Sequence, residues 1–91
     1  MSGARPGRLR MRLRPGVRAE LQAARRWYEV RAPGLGRAFL AEVEATLAFV
    51  QEHPAMYAVV AEGSSARRAL LHRFPYALVY EVIGRELVVL A

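Results

Sequence analysis

Polar and apolar residues alternate strictly from Arg8 to Arg14, with Leu9, Met11 and Leu13 on one side and four arginines on the other. A period of two predicts a half-buried strand. Pro15-Gly16 ends it. From Val17 the apolar positions Val17, Leu21, Ala24 and Tyr28 recur at spacings of four, three and four, which predicts a helix to about Arg31. Arg25 and Glu29, four apart on its polar side, form a weakly stabilising pair. Pro33-Gly34-Leu35-Gly36 predicts a turn. A second helix follows, with Phe39, Leu40, Val43, Leu47 and Val50 on its apolar face and Glu42, Glu44, Gln51 and Glu52 pointing elsewhere. It ends before Pro54, because a residue preceding proline is pushed out of helical geometry. Two helices joined so closely should pack as an antiparallel hairpin.

Beyond Pro54, β-branched and aromatic residues dominate 57–62, 66–74, 76–83 and 86–91, predicting an antiparallel meander. Gly84-Arg85 reads as a type II′ turn. The expected fold class is α+β: an N-terminal strand, an antiparallel two-helix hairpin, then a three- to four-stranded antiparallel meander. The helices pack on one sheet face and leave the other largely open. The first strand is expected to pair with the later ones, since alone it could not keep its Leu-Met-Leu face from water. Residues 1–7 are expected to be a flexible tail, and 8–91 a single domain.

At 91 residues, 54% hydrophobic and 24% charged, the composition is that of a globular domain. No apolar run approaches the roughly 18 residues of a membrane span, and none follows the Arg-rich start as a secretory signal requires. The absence of Cys removes disulfide frameworks and thiolate metal sites, so a cytoplasmic location and no metal or other cofactor are expected. The 14 cations are all Arg, with no Lys, Asp or Asn and 16 Ala, a pattern of GC-rich coding. A single Arg therefore carries little meaning as a bidentate choice over Lys. The net charge of +6 is unevenly spread: residues 1–37 carry +8, residues 38–62 carry −4 and residues 63–91 carry +2. This is a surface divided for partner docking more than a uniform coat for nucleic acid.

Three stretches, in order, carry a family resemblance: Ala19-Glu20-Leu21 with Ala24 and Trp27-Tyr28; Pro33-Gly34-Leu35-Gly36 with Phe39 and Glu42-Val43; and Arg67 to Tyr76 followed by Val79-Tyr80. Together they resemble the RelE/ParE toxins of bacterial type II toxin–antitoxin systems over roughly residues 9–91. The resemblance implies a plasmid stabilisation-like toxin that arrests growth until a cognate antitoxin binds it, with higher-order toxin–antitoxin complexes. It implies one of two targets, DNA gyrase in the ParE branch or the message on the ribosome in the RelE branch. RelE-type members draw part of their catalytic set from a basic segment beyond the last strand. Because the sequence stops at Ala91, gyrase inhibition is the favoured expectation, with a shortened, non-toxic antitoxin-binding module as a third.

Cleavage of RNA needs groups that activate a 2′-hydroxyl, steady a phosphorane and protonate a leaving oxygen. The candidates are Arg73, His72 and Tyr76. Alternation puts Arg67, Ala69, Leu71 and Arg73 on one side of the third strand and Arg68, Leu70, His72 and Phe74 on the other. Arg67, Arg68, Arg73 and Tyr80 are candidates for binding a partner or nucleic acid. Tyr76 and Tyr80 share a side with Leu78 between them, which equally fits a core. Arg10 and Arg12, in the first strand's Arg row, could track a phosphate backbone or an acidic surface, or block edge-to-edge aggregation. Trp27 with Tyr28 is expected to anchor the helix-to-sheet core.

Overall fold

A computed structural model describes residues 9–91; the expected tail and Arg8 lie outside the described residues. The element order is β1 (Arg10–Leu13), α1 (Val17–Arg31), α2 (Leu35–Glu52), β2 (Arg67–Leu70), β3 (Ala77–Ile83) and β4 (Glu86–Val89). α1 lies where its apolar stripe predicts. α2 starts earlier than expected, because Leu35 and Gly36 form its first turn instead of completing the loop.

The reason is a cap supplied from the neighbouring helix. Gly34, at φ 87°, reverses the chain into α2 and brings no side chain to satisfy the helix's first N–H groups. The Glu29 carboxylate of α1 does so instead, accepting from the N–H of Gly34 at 3.0 Å and of Gly36 at 2.9 Å. These two bonds, Gly34 first, hold the Glu29 carboxyl below its usual range, aided by Arg25 and Arg37. The expected Arg25–Glu29 pair acts through charge and not through a hydrogen bond, since Arg25 Nε donates to Gln22 Oε1 at 3.0 Å. The close helix approach requires Gly36, where an added Cβ would lie 2.7 Å from the Arg25 carbonyl oxygen.

The four strands form one sheet in the order β1-β4-β3-β2. β2–β3 and β3–β4 are antiparallel, as the meander requires, but β1 pairs parallel to β4, with Arg12 opposite Val88. The sheet is therefore mixed, not wholly antiparallel. β2's outer edge is lined by residues 58–60, which leaves β4's edge for β1. Gly84 has φ 61° and, among the described residues, no non-glycine residue has a positive φ, in keeping with the expected II′ turn.

Two expected strands are cut short. Residues 57–62 make a single bridge, Val59 to Arg67, not a strand. Carbonyls in this connection are taken by side chains: Tyr80 Oη donates to the Pro54 carbonyl at 2.6 Å and Arg67 Nη1 to the Tyr57 carbonyl at 2.6 Å. The strand expected to reach Phe74 ends at Leu70. The Leu71 N–H then donates to the Tyr76 carbonyl at 2.9 Å and closes a turn around Pro75, which has no N–H for a ladder. Past Leu71 the alternation fails, so Arg73 faces solvent and Phe74 is buried.

The core lies between the helices and one sheet face, with Phe39, Val50, Leu78, Tyr80, Leu87 and Val89 fully enclosed. At one end the rings of Tyr28, Phe39, Phe74 and Tyr76 interlock, with Phe39 5.0 Å from Tyr28, 5.5 Å from Phe74 and 5.0 Å from Tyr76. Such pairs add about 0.5–1.5 kcal/mol each beyond area burial. Trp27 meets only the rim of this cluster, its ring edge-on to Tyr28 at 5.0 Å. It is 52% exposed, and Tyr28 alone anchors α1 there. Gly36→Ala is expected to destabilise the fold by roughly 1–3 kcal/mol through overpacking, read as a lowered urea midpoint with an unchanged slope.

Candidate functional site

The turn from Leu71 to Tyr76 is held against α2 by one carboxylate. Glu42 accepts the backbone N–H of His72 and, at 3.2 Å, that of Arg73, while Arg73 Nε reaches its other oxygen at 3.4 Å. Burial against α2 acts first and pushes the Glu42 carboxyl up. The bonds from His72 and Arg73, with the Arg73 charge, together outweigh it and hold the carboxyl below the usual range. The Arg73 side chain remains 67% exposed, with Glu42 almost covered beneath it. Periodicity gave no sign of this role, since Glu42 falls off α2's apolar stripe; only the Glu42-Val43 pair in the family resemblance marked the position.

Beside this clamp runs an open groove of about 740 Å³. Ala41 and Ala45 form its floor on α2, Phe49, Met56 and Tyr57 its apolar wall, and His72 and Arg73 its polar end. Phe49 is stacked on His53 at 4.7 Å and is itself partly exposed, as is Met56. The groove can hold an apolar side chain beside an anionic group.

The other candidates are dispersed. Tyr76 is half-buried in the aromatic cluster, and burial, then Glu20 and Tyr28, push its hydroxyl up, away from use as a base near neutral pH. Tyr80 is wholly enclosed and ties β3 to the end of α2, so its ring touches no partner directly. Burial raises its hydroxyl as well. Arg67 faces the helical side, engaged with the Tyr57 carbonyl. Arg68 lies on the opposite, open face of the sheet. Arg10 and Arg12 share that face, and Arg12 Nε bonds Glu86 at 3.1 Å. Three strand spacings, about 14 Å, separate Arg68 on β2 from the β1 pair. The arginines and His72 therefore do not form one basic surface. Among the described residues no group of three His, Asp or Glu could hold a metal ion, and no helix is long and apolar enough to cross a membrane. Nor does any described strand pair with β1's outer edge.

The model of a family described as the ParE toxin of the type II toxin–antitoxin system parDE matches residues 11–91. A chain in a solved structure described as the chromosomal ParDE TA system from P. aeruginosa superposes with a TM-score of 0.78, covering 92% of each chain at 19% identity. At that identity the likeness concerns the fold. No curated protein sequence matches the chain significantly.

A carboxyl whose folded pKa lies below its unfolded value stabilises the fold above the ordinary glutamate range, and loses that contribution as the pH falls through the folded value. Stability is accordingly expected to drop below about pH 4.3. In Glu42→Gln the urea midpoint should fall less steeply from pH 6 to pH 3 than in the parent chain. An identical slope would remove Glu42 from the account.

Proposed function

The chain belongs to the ParE toxin family of type II toxin–antitoxin systems, and on that premise we propose that it arrests growth by binding DNA gyrase and is neutralised by a cognate antitoxin. The supporting observation is the state of the candidate catalytic groups. Arg73 is already paired with Glu42, and Tyr76 packs on Phe39 with its hydroxyl held protonated. Of these three candidates His72 remains as an exposed side chain, and one exposed imidazole falls short of the base, acid and charge-stabilising set that phosphodiester cleavage uses. What lies beside it is a groove with partly exposed Phe49 and Met56, the kind of surface that anchors a protein partner.

In this reading the groove receives an apolar side chain of the target, and the outward edge of Arg73 meets an acidic group. The free edge of β1, with its Arg row, offers the antitoxin an extended pairing surface. Neutralisation then needs no change in the toxin's fold: the antitoxin occupies surface and blocks approach.

Purified chain is expected to inhibit supercoiling by gyrase at micromolar concentration and to leave messages intact in a translating extract. Met56→Glu, at an exposed groove position, should weaken inhibition about tenfold with little effect on stability. Cleavage products in the extract, mapped by primer extension, would replace this reading with the RelE-type nuclease.

A further inference from the structure

Among the described residues the sheet ends in two open edges, and they differ in charge. At β1 the strand presents Arg10 and Arg12 on one face, so two copies pairing antiparallel there, like face to like face, would set arginine against arginine in every register. That edge is guarded against itself. At the other end β2 is lined by residues 58–60, through bonds from the Arg68 N–H to the Ala58 carbonyl at 3.1 Å and from the Val60 N–H to the Ala66 carbonyl at 2.9 Å. Backbone groups alternate in direction along an extended segment, so those of Val59 point outward. Residues 54–61 carry no charge, and Val59 and Val60 are 40% and 38% exposed. An uncharged, exposed edge of β-branched residues is one that sheet proteins ordinarily protect, and here nothing in the sequence does so.

We propose that this edge pairs with the same segment of a second copy, about a two-fold axis at Val59. Backbone satisfaction selects the axis. The Tyr57 carbonyl already accepts Arg67 Nη1 at 2.6 Å, and the Ala61 carbonyl accepts the Ser64 N–H at 3.0 Å. Neither the N–H nor the carbonyl of Val59 has a partner among the described residues. An antiparallel pair centred there exchanges two N–H to carbonyl bonds between the two Val59 residues and closes the edge of both sheets at once. The register then opposes Ala58 to Val60 and Tyr57 to Ala61, all of them uncharged. The contact is short, so the dimer is expected to be weak. The charge of +6 on each copy resists approach at long range, and salt screens that repulsion. Pairing is therefore expected to tighten as ionic strength rises, the reverse of a contact built on the Arg row. Such pairing is independent of the toxin's target.

Full-length chain is followed by sedimentation equilibrium from low micromolar to millimolar concentration, with amide hydrogen exchange read residue by residue at both ends of the range. A monomer–dimer equilibrium is expected. Exchange of the Val59 N–H should slow at least about threefold on concentration, while that of Val60, already bonded to Ala66, changes less. Val59→Glu and Val59→Lys, each folded by circular dichroism, should be monomeric alone, because each sets like charges at the axis, and should associate when mixed. A parent chain that stays monomeric throughout, or variants that each still dimerise, would overturn the proposal. So would growth past the dimer, which would join this edge to β1 of the next copy. Should either variant fail to fold, exchange in the parent chain decides, and a Val59 N–H that does not slow with concentration overturns the proposal.

Discussion

The hold of Glu42 on the turn after β2 is the constraint from which the rest of this structure can be read. One carboxylate accepts two successive N–H groups, of His72 and Arg73, and an Arg73 side-chain bond. That bond set stops β2 at Leu70 and turns Phe74 inward onto Tyr28 at 4.8 Å, completing the ring cluster that joins helices to sheet. It also raises His72 and Arg73 as the polar end of the groove along α2. Packing and surface chemistry at this corner have one origin.

Glu29 plays a parallel part between the helices. The two acidic side chains that organise the fold both act by accepting backbone N–H groups that their segments cannot satisfy for themselves, and those bonds draw both carboxyls below their usual range. Their value lies first in those backbone bonds, to which nearby cations add: Arg73 for Glu42, and Arg25 and Arg37 for Glu29. This separates them from Arg12 and Glu86, an exposed pair of the kind that contributes little to stability.

The helices, the α+β class and the hairpin at Gly84 were legible because each rests on periodicity or on a turn whose geometry dictates its residues. The parallel seating of β1 was not, since alternation fixes which face a strand buries and says nothing of its neighbour. Residues 57–62 have strand-like composition, yet Arg67 claims the Tyr57 carbonyl at their start and Tyr80 the Pro54 carbonyl just before them, a contest that only tertiary structure decides. Trp27 misled because size suggests burial, whereas its angular position on α1, one residue before Tyr28, turns it outward. Of the candidate site, His72 and Arg73 were legible as a pair, while Glu42 lay off every periodic pattern. Tyr80 was legible as a strand residue sharing the Leu78 side, and the enclosure of that side is what makes it core.

The central functional claim is that this toxin-family chain acts by docking, with His72 contributing surface and not proton transfer. Induced expression of His72→Ala, scored as surviving colonies against the parent chain, tests it most directly. The account predicts growth arrest within a few-fold of the parent. A loss of about 10²-fold or more, the scale of a removed general acid or base, would contradict it.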